Sequence, residues 1–145
     1  MNRISRLTLA AAAGLIVALG AASAQAQVGP RQDVMKANAA AQRTLTPLIR
    51  GEQPWNKDVA VAQAKILADD AKKLATLFPA GSEGGNAKPE IWSNRADFDA
   101  KLKAFDDAAV KLVAANGEEA AFKAAFQPLG ATCGACHQAY RKPLN

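Results

Sequence analysis

Both cysteines of this 145-residue chain, Cys133 and Cys136, and its only histidine, His137, stand within five residues in the stretch TCGACHQAYR. Four chemistries use these residue types in such close order: a disulfide, a thiol redox site, a zinc site and a covalently attached haem. A disulfide spaced by two residues closes a tiny loop, and small scaffolds that depend on disulfides use several pairs. Zinc needs four ligands, and the chain has no second cluster of Cys or His. A thiol redox site of C-x-x-C type is normally read beside a βαβ pattern, and no alternating apolar run here makes a convincing strand. C-x-x-C-H is the pattern of c-type haem attachment. Its two thiols add across the vinyl groups, and the neighbouring imidazole reaches the iron. On a helix the three residues fall at i, i+3 and i+4 and share a face. Covalent haem is the one chemistry of the four that uses all of them. Gly130 and Gly134 fit it, because glycine inside a helix costs on the order of 1 kcal/mol against alanine, a cost that close approach to a macrocycle explains. A helix start at Gly130 is the plainer explanation of that residue.

The other end of the chain bears on the compartment. MNRISR carries two arginines, Leu7 to Ala22 runs without a charge, and small-x-small sites follow at Ala22–Ala24 and Ala24–Ala26. That order is a secretory signal peptide over residues 1–26, expected to be cleaved to leave a domain over residues 27–145. An uncleaved anchor helix is the alternative, since the 18 uncharged residues from Leu7 to Ala24 approach the lower limit for a span. Cleavage after Ala26 removes Arg3 and Arg6 and no acidic residue, so the formal charge falls from +5 to +3. No cluster of Lys or Arg interleaved with aromatics remains, which argues against a nucleic-acid partner. Nor is a membrane partner expected once the signal is gone. Export implies the periplasm.

The remainder reads as four helices. The first starts at Pro30, a residue suited to a first helical turn, and carries Val34, Met35, Asn38, Ala41, Leu45, Leu48 and Ile49 at three- and four-residue intervals. Pro47 is expected to kink or loosen its last turn. The second runs from about Asn56 to Phe78, with Val59, Ala62, Ile66, Leu67, Ala71, Leu74 and Phe78 as its buried positions. FPAGSEGGNAKPE (78–90) is the one long loop, and loops of that length are often functional. The third begins near Ser93 as N-cap and puts Phe98, Leu102, Phe105, Ala109 and Leu112 on one stripe. Gly117 stops it. The fourth starts at Glu118 and carries Phe122, Phe126, Leu129, Cys133, His137 and Tyr140, with a kink or restart expected at Pro128. Four helices of about 20 residues joined by short connections predict an all-α fold, an antiparallel four-helix bundle, here with covalently attached haem.

Several motifs together carry a family likeness. Cys133-Gly134-Ala135-Cys136-His137 followed by Tyr140-Arg141, Arg31-Gln32 followed by Met35, Gly81–Asn86 and Pro89-Glu90-Ile91-Trp92 resemble the class II c-type cytochromes, the family of cytochrome c′ and its low-spin methionine-ligated relatives. The likeness spans nearly the whole of residues 27–145. It implies one haem c, linked at Cys133 and Cys136, with His137 as the proximal iron ligand. It further implies that Arg31, Gln32 and Asn86 approach the haem and its propionates, and that Arg141 lies near the histidine. Without it, a solvated surface arginine would be the default for Arg31, although a buried propionate does call for a cation. The family's first two helices commonly form a homodimer interface; here only four residues would precede Arg31 after cleavage, a shorter start than usual.

Met35 bears on the mechanism, being the one methionine left after signal removal. It stands four residues after Arg31, on the same side of the first helix. Three roles are open to it: sixth iron ligand, apolar lid over an open iron, or ordinary core residue. The first gives a low-spin carrier of single electrons through Fe(III)/Fe(II) cycling, working with redox partner proteins. That is the function expected from the sequence. The second gives a five-coordinate high-spin protein that binds NO or CO. No acid–base or nucleophile–base constellation suggests an enzyme.

Overall fold

The computed structural model describes residues 8–143, with side chains from Ala26 onward. The elements are α1 (Thr8–Arg50), α2 (Lys57–Leu74), the single turn α3 (Glu90–Ser93), α4 (Arg95–Ala114) and α5 (Glu119–Tyr140). No strand is formed among the described residues; one isolated bridge joins Ala87 to Arg141. α1 packs on α2, α2 on α4 and α4 on α5. α1 and α5 do not close on each other in the same way. Among the described residues no helix is long and apolar enough to cross a membrane.

Each helix follows from its apolar period, with corrections. Asn56 caps α2, its side chain accepting the Val59 N–H at 3.1 Å. The buried face of α2 is Ala60, Ala64, Leu67, Ala68, Ala71 and Leu74, while Ala62 is exposed and Ile66 is 39% exposed. The expected stripe was turned too far toward Ile66, because a helix so rich in alanine gives its apolar period little contrast. α4 buries Phe98, Phe105, Ala109 and Leu112 as expected, while Leu102 of the same stripe is only half-buried and lines a cavity. Ser93 does not cap it, since Ser93 ends α3 and Asn94 precedes α4. None of the three prolines marks a helix break. Pro30 and Pro47 lie inside α1 and Pro128 lies inside α5. Each removes one ladder hydrogen bond, and at Pro47 and Pro128 burial of residues on either side keeps the helix going. Leu45 and Leu48 flank Pro47, and Phe122 and Leu129 flank Pro128, all within the core.

The two ends of the bundle are built differently. At one end Trp55 packs edge-on against Phe122 with ring centroids 5.4 Å apart, and its Nε1–H donates to the Gly117 carbonyl at 3.0 Å. The turn between α4 and α5 passes through Asn116 and Gly117, at φ of 44° and 69°. A Cβ on Gly117 would stand 3.0 Å from the Lys57 carbonyl oxygen and 2.6 Å from its Cγ. Gly117→Ala therefore combines a left-handed alanine with a backbone collision and should cost about 2 kcal/mol or more. A lower denaturant midpoint at unchanged m-value would register it. At the opposite end Phe98 packs edge-on against both Phe78 and Tyr140, at 4.9 and 5.2 Å. The long loop is pinned there to the end of α5. Lys88 N–H donates to the Tyr140 carbonyl at 3.0 Å, and Lys142 N–H donates to the Asn86 carbonyl at 2.8 Å.

Candidate haem cavity

Where α1 and α5 stand apart, the bundle holds a cavity of about 600 Å³, within the range of small-molecule and cofactor sites. α1, α4, α5 and the loop before α3 line it, with Leu74 of α2 closing it from behind. Cys133, Cys136 and His137 line it from α5, and Arg31, Gln32 and Met35 from α1. Asn86 and Arg141 complete the set at the pinned end. All eight residues picked out from the sequence thus meet at one cavity. Gln32, Asn86 and Arg141 are exposed at its rim, whereas Met35 is half-buried and packs on the core.

On α5 the two cysteines are unbridged and half-buried. Burial pushes both thiols above their ordinary value, so they stay protonated near neutral pH. This opposes the thiolate that a redox or nucleophilic cysteine needs. The Cys133 thiol donates to the Leu129 carbonyl at 3.6 Å, and its sulfur accepts a hydrogen bond from Gln42 Nε2 at 3.6 Å. Among the described residues that second bond is the one hydrogen bond linking α1 to α5. Burial, and then the nearby positive charge of Arg141, hold His137 below the usual imidazole value. A neutral imidazole has a free lone pair, which is the form that ligates a metal. Gly130 and Gly134 also line the cavity, and a Cβ at either would meet no protein atom within 4 Å. Whatever these glycines leave room for is outside the protein's own packing.

Arg31 is not the solvated arginine of the default reading. It is 6% exposed, and its guanidinium lies over the Phe78 ring at 4.3 Å and beside Trp92 at 5.5 Å. Nε donates to the Leu77 carbonyl and Nη2 to the Ser82 carbonyl, each at 2.7 Å, and Nη2 also donates to the Ser82 hydroxyl. Nη1 is sealed from solvent and has no partner among the described residues. Burial lowers the guanidinium from its ordinary value, yet Arg retains its charge in proteins. A buried cation with one free donor at the cavity wall suits a carboxylate. Tyr140, the last residue of α5, donates its hydroxyl to Asp97 of α4, and that bond with burial pushes the phenol up to about 12.

Sequence reasoning overlooked Gln42, Val28 and Lys101 as lining residues and took Asn38 for a core position. Two of them carried a signal. Gln42 falls seven residues after Met35, two turns along the same face, and Asn38 was the only polar member of the α1 stripe. Val28 carried none: its methyls lie 3.4 Å from where a Cβ of Gly84 would stand and 3.0 Å from that of Gly85.

Two thiols at i and i+3, a neutral histidine beside them and a buried cation across an apolar cavity in a helical bundle define a c-type haem protein. The family model described as Cytochrome C′ matches residues 26–141, and the chain belongs to that family, the class II c-type cytochromes. Its cofactor is haem c, with iron, covalently attached. The donor set fits that group, with thiols for vinyls and the unpartnered Arg31 Nη1 for a propionate. The chain is 42% identical over 118 residues to cytochrome c′ of Alcaligenes xylosoxydans xylosoxydans, covering 77% of this chain and 90% of that protein. To cytochrome c-556 of Agrobacterium tumefaciens (strain B2A) it is 38% identical over 117 residues, covering 79% and 96%. Among solved structures it resembles the nitric oxide complex of a leucine-to-alanine mutant of Alcaligenes xylosoxidans cytochrome c prime. That likeness has a TM-score of 0.80 and 38% identity, over 85% of this chain and 98% of the other.

Proposed function

We propose that this chain is a periplasmic monohaem cytochrome that takes up a small gas such as NO or CO, with Cys133 and Cys136 as its attachment points. In this reading His137 is the proximal ligand and Met35 packs over the other side without ligating. When bound, the haem supplies an iron that cycles between Fe(III) and Fe(II) and accepts axial ligands. The protein's own residues do the rest. Arg31 holds a propionate, and Gln32, Asn86 and Arg141 shield the rim. Met35 and Ala39 give the α1 wall an apolar patch, which suits an uncharged diatomic ligand. The observation that most favours gas uptake is that several solved relatives are nitric oxide complexes.

A second reading, transfer of single electrons to a redox partner protein, has support of its own. Met35 lines the same cavity as His137 from another helix, and Met/His ligation raises the reduction potential. The ferric EPR and visible spectra separate the two. For the gas reading the expected result is a high-spin signal that Met35→Ala leaves high-spin, with NO and CO uptake by the reduced protein. A low-spin signal that Met35→Ala converts to high spin would replace it with the electron carrier.

Removal of residues 1–26 belongs to the same proposal. The family match begins at residue 26. Pro30 lacks the N–H that would bond the Ala26 carbonyl, a loss inside the long α1. With the chain cut after Ala26, Pro30 falls in the first turn, where that donor has no helical partner anyway.

A further inference from the structure

Among the polar residues of the cavity, Asn38 is not one of those assigned to the haem. It follows Met35 by one turn of α1, lines the same cavity and is 8% exposed. Its Oδ1 is sealed from solvent and accepts no hydrogen bond among the described residues. Its neighbours on the buried side of α1 are Val34, Ala41 and Leu45, so a leucine would continue the stripe without penalty. A buried amide left unpartnered costs the desolvation of its polar atoms, and native structures rarely tolerate that without a reason. Arg31 Nη1, the other sealed and unpartnered atom of this cavity, has its reason in a propionate. The apolar face of a macrocycle offers an amide nothing comparable.

We infer that Asn38 is the hydrogen-bonding group this cavity presents to its gas ligand, and is therefore a specificity-determining residue. The inference rests on the gas reading above. An asparagine carries two donors and an acceptor, and here the Nδ2 end, unlike the sealed Oδ1, keeps open surface and donates to no acceptor among the described residues. One N–H donates to the outer atom of a diatomic ligand on the Met35 side. Ligands whose outer atom accepts a hydrogen bond well gain most, so NO gains more than CO. Met35 and Ala39, the apolar residues on the same wall, set size; Asn38 sets polarity.

The test uses the haem-loaded, reduced protein with Asn38→Leu and Asn38→Ala, and NO and CO as probes. Both variants are expected to release NO about 2- to 12-fold faster, the range that the net strength of one hydrogen bond implies. In both, the C–O stretching band of the CO-loaded protein should move to higher frequency. A merely structural asparagine would alter the melting temperature and leave that band in place. Asn38→Leu keeps the core filled, so its folding does not depend on the ligand. Equal NO release rates and an unmoved band in both variants would overturn the inference and leave the gas reading intact. A wild-type protein that takes up neither gas would overturn the gas reading, and this inference with it.

Discussion

Replacing Cys133 and Cys136 together by serine is expected to yield protein from which acid acetone extracts all the haem, with an alkaline pyridine spectrum lacking the thioether-linked form. The fold should suffer as well. Losing the contents of a cavity of about 600 Å³ would cost roughly 14 kcal/mol by the scaling found for large-to-small core substitutions. That is an upper bound for a cavity with an open mouth, but it is comparable to the whole stability of a domain. The apoprotein should therefore lose the sharp thermal transition of the loaded chain. α1 is the helix most affected, since among the described residues its one hydrogen bond to α5 runs from Gln42 to the Cys133 sulfur. Haem that stays with the extracted double variant would disprove attachment at these two residues.

Arg31→Leu should cost about 3 kcal/mol and lower the melting temperature of the loaded protein by about 10 °C. The guanidinium donates to two carbonyls, Leu77 and Ser82, and to the Ser82 hydroxyl. Removing it leaves those buried acceptors unpaired and frees the long loop at the point where it crosses the cavity. Amide hydrogen exchange should accelerate in residues 77–86, while the Trp55 end of the bundle stays protected. Arg31→Lys should recover little, because an ammonium lacks the planar fork and the stacking on Phe78. A melting temperature within 2 °C of the wild type would mean that the arginine is not part of the wall.

Much of this arrangement was legible before the fold was known, and the exceptions have physical causes. Of the stripe Phe98, Leu102, Phe105, Ala109, Leu112 on α4, all but the half-buried Leu102 are buried, because phenylalanine and leucine alternate sharply with lysine and aspartate there. On α2 the buried face is mostly alanine, so Ile66, a more apolar residue, drew the predicted stripe toward the surface. The prolines pointed to kinks because local chemistry disfavours them in helices. Packing of Leu45, Leu48, Phe122 and Leu129 overrode that preference. Asn38 was placed correctly as buried, yet its meaning depends on what surrounds it, and periodicity carries no such information.

By itself the sequence determined the chemistry of attachment and the class of fold, because both are local. Cys133, Cys136 and His137 share a helical face wherever that helix lies, and the four apolar stripes predict four helices. The tertiary structure decided which residues share the cavity. Arg31 is bound to carbonyls 46 and 51 residues away, and Gln42 to a sulfur 91 residues away. No helical period reaches that far. Only the packing of α1 and α2, and of α4 and α5, brings those groups to one cavity and sets Arg31 and Asn38 in its wall.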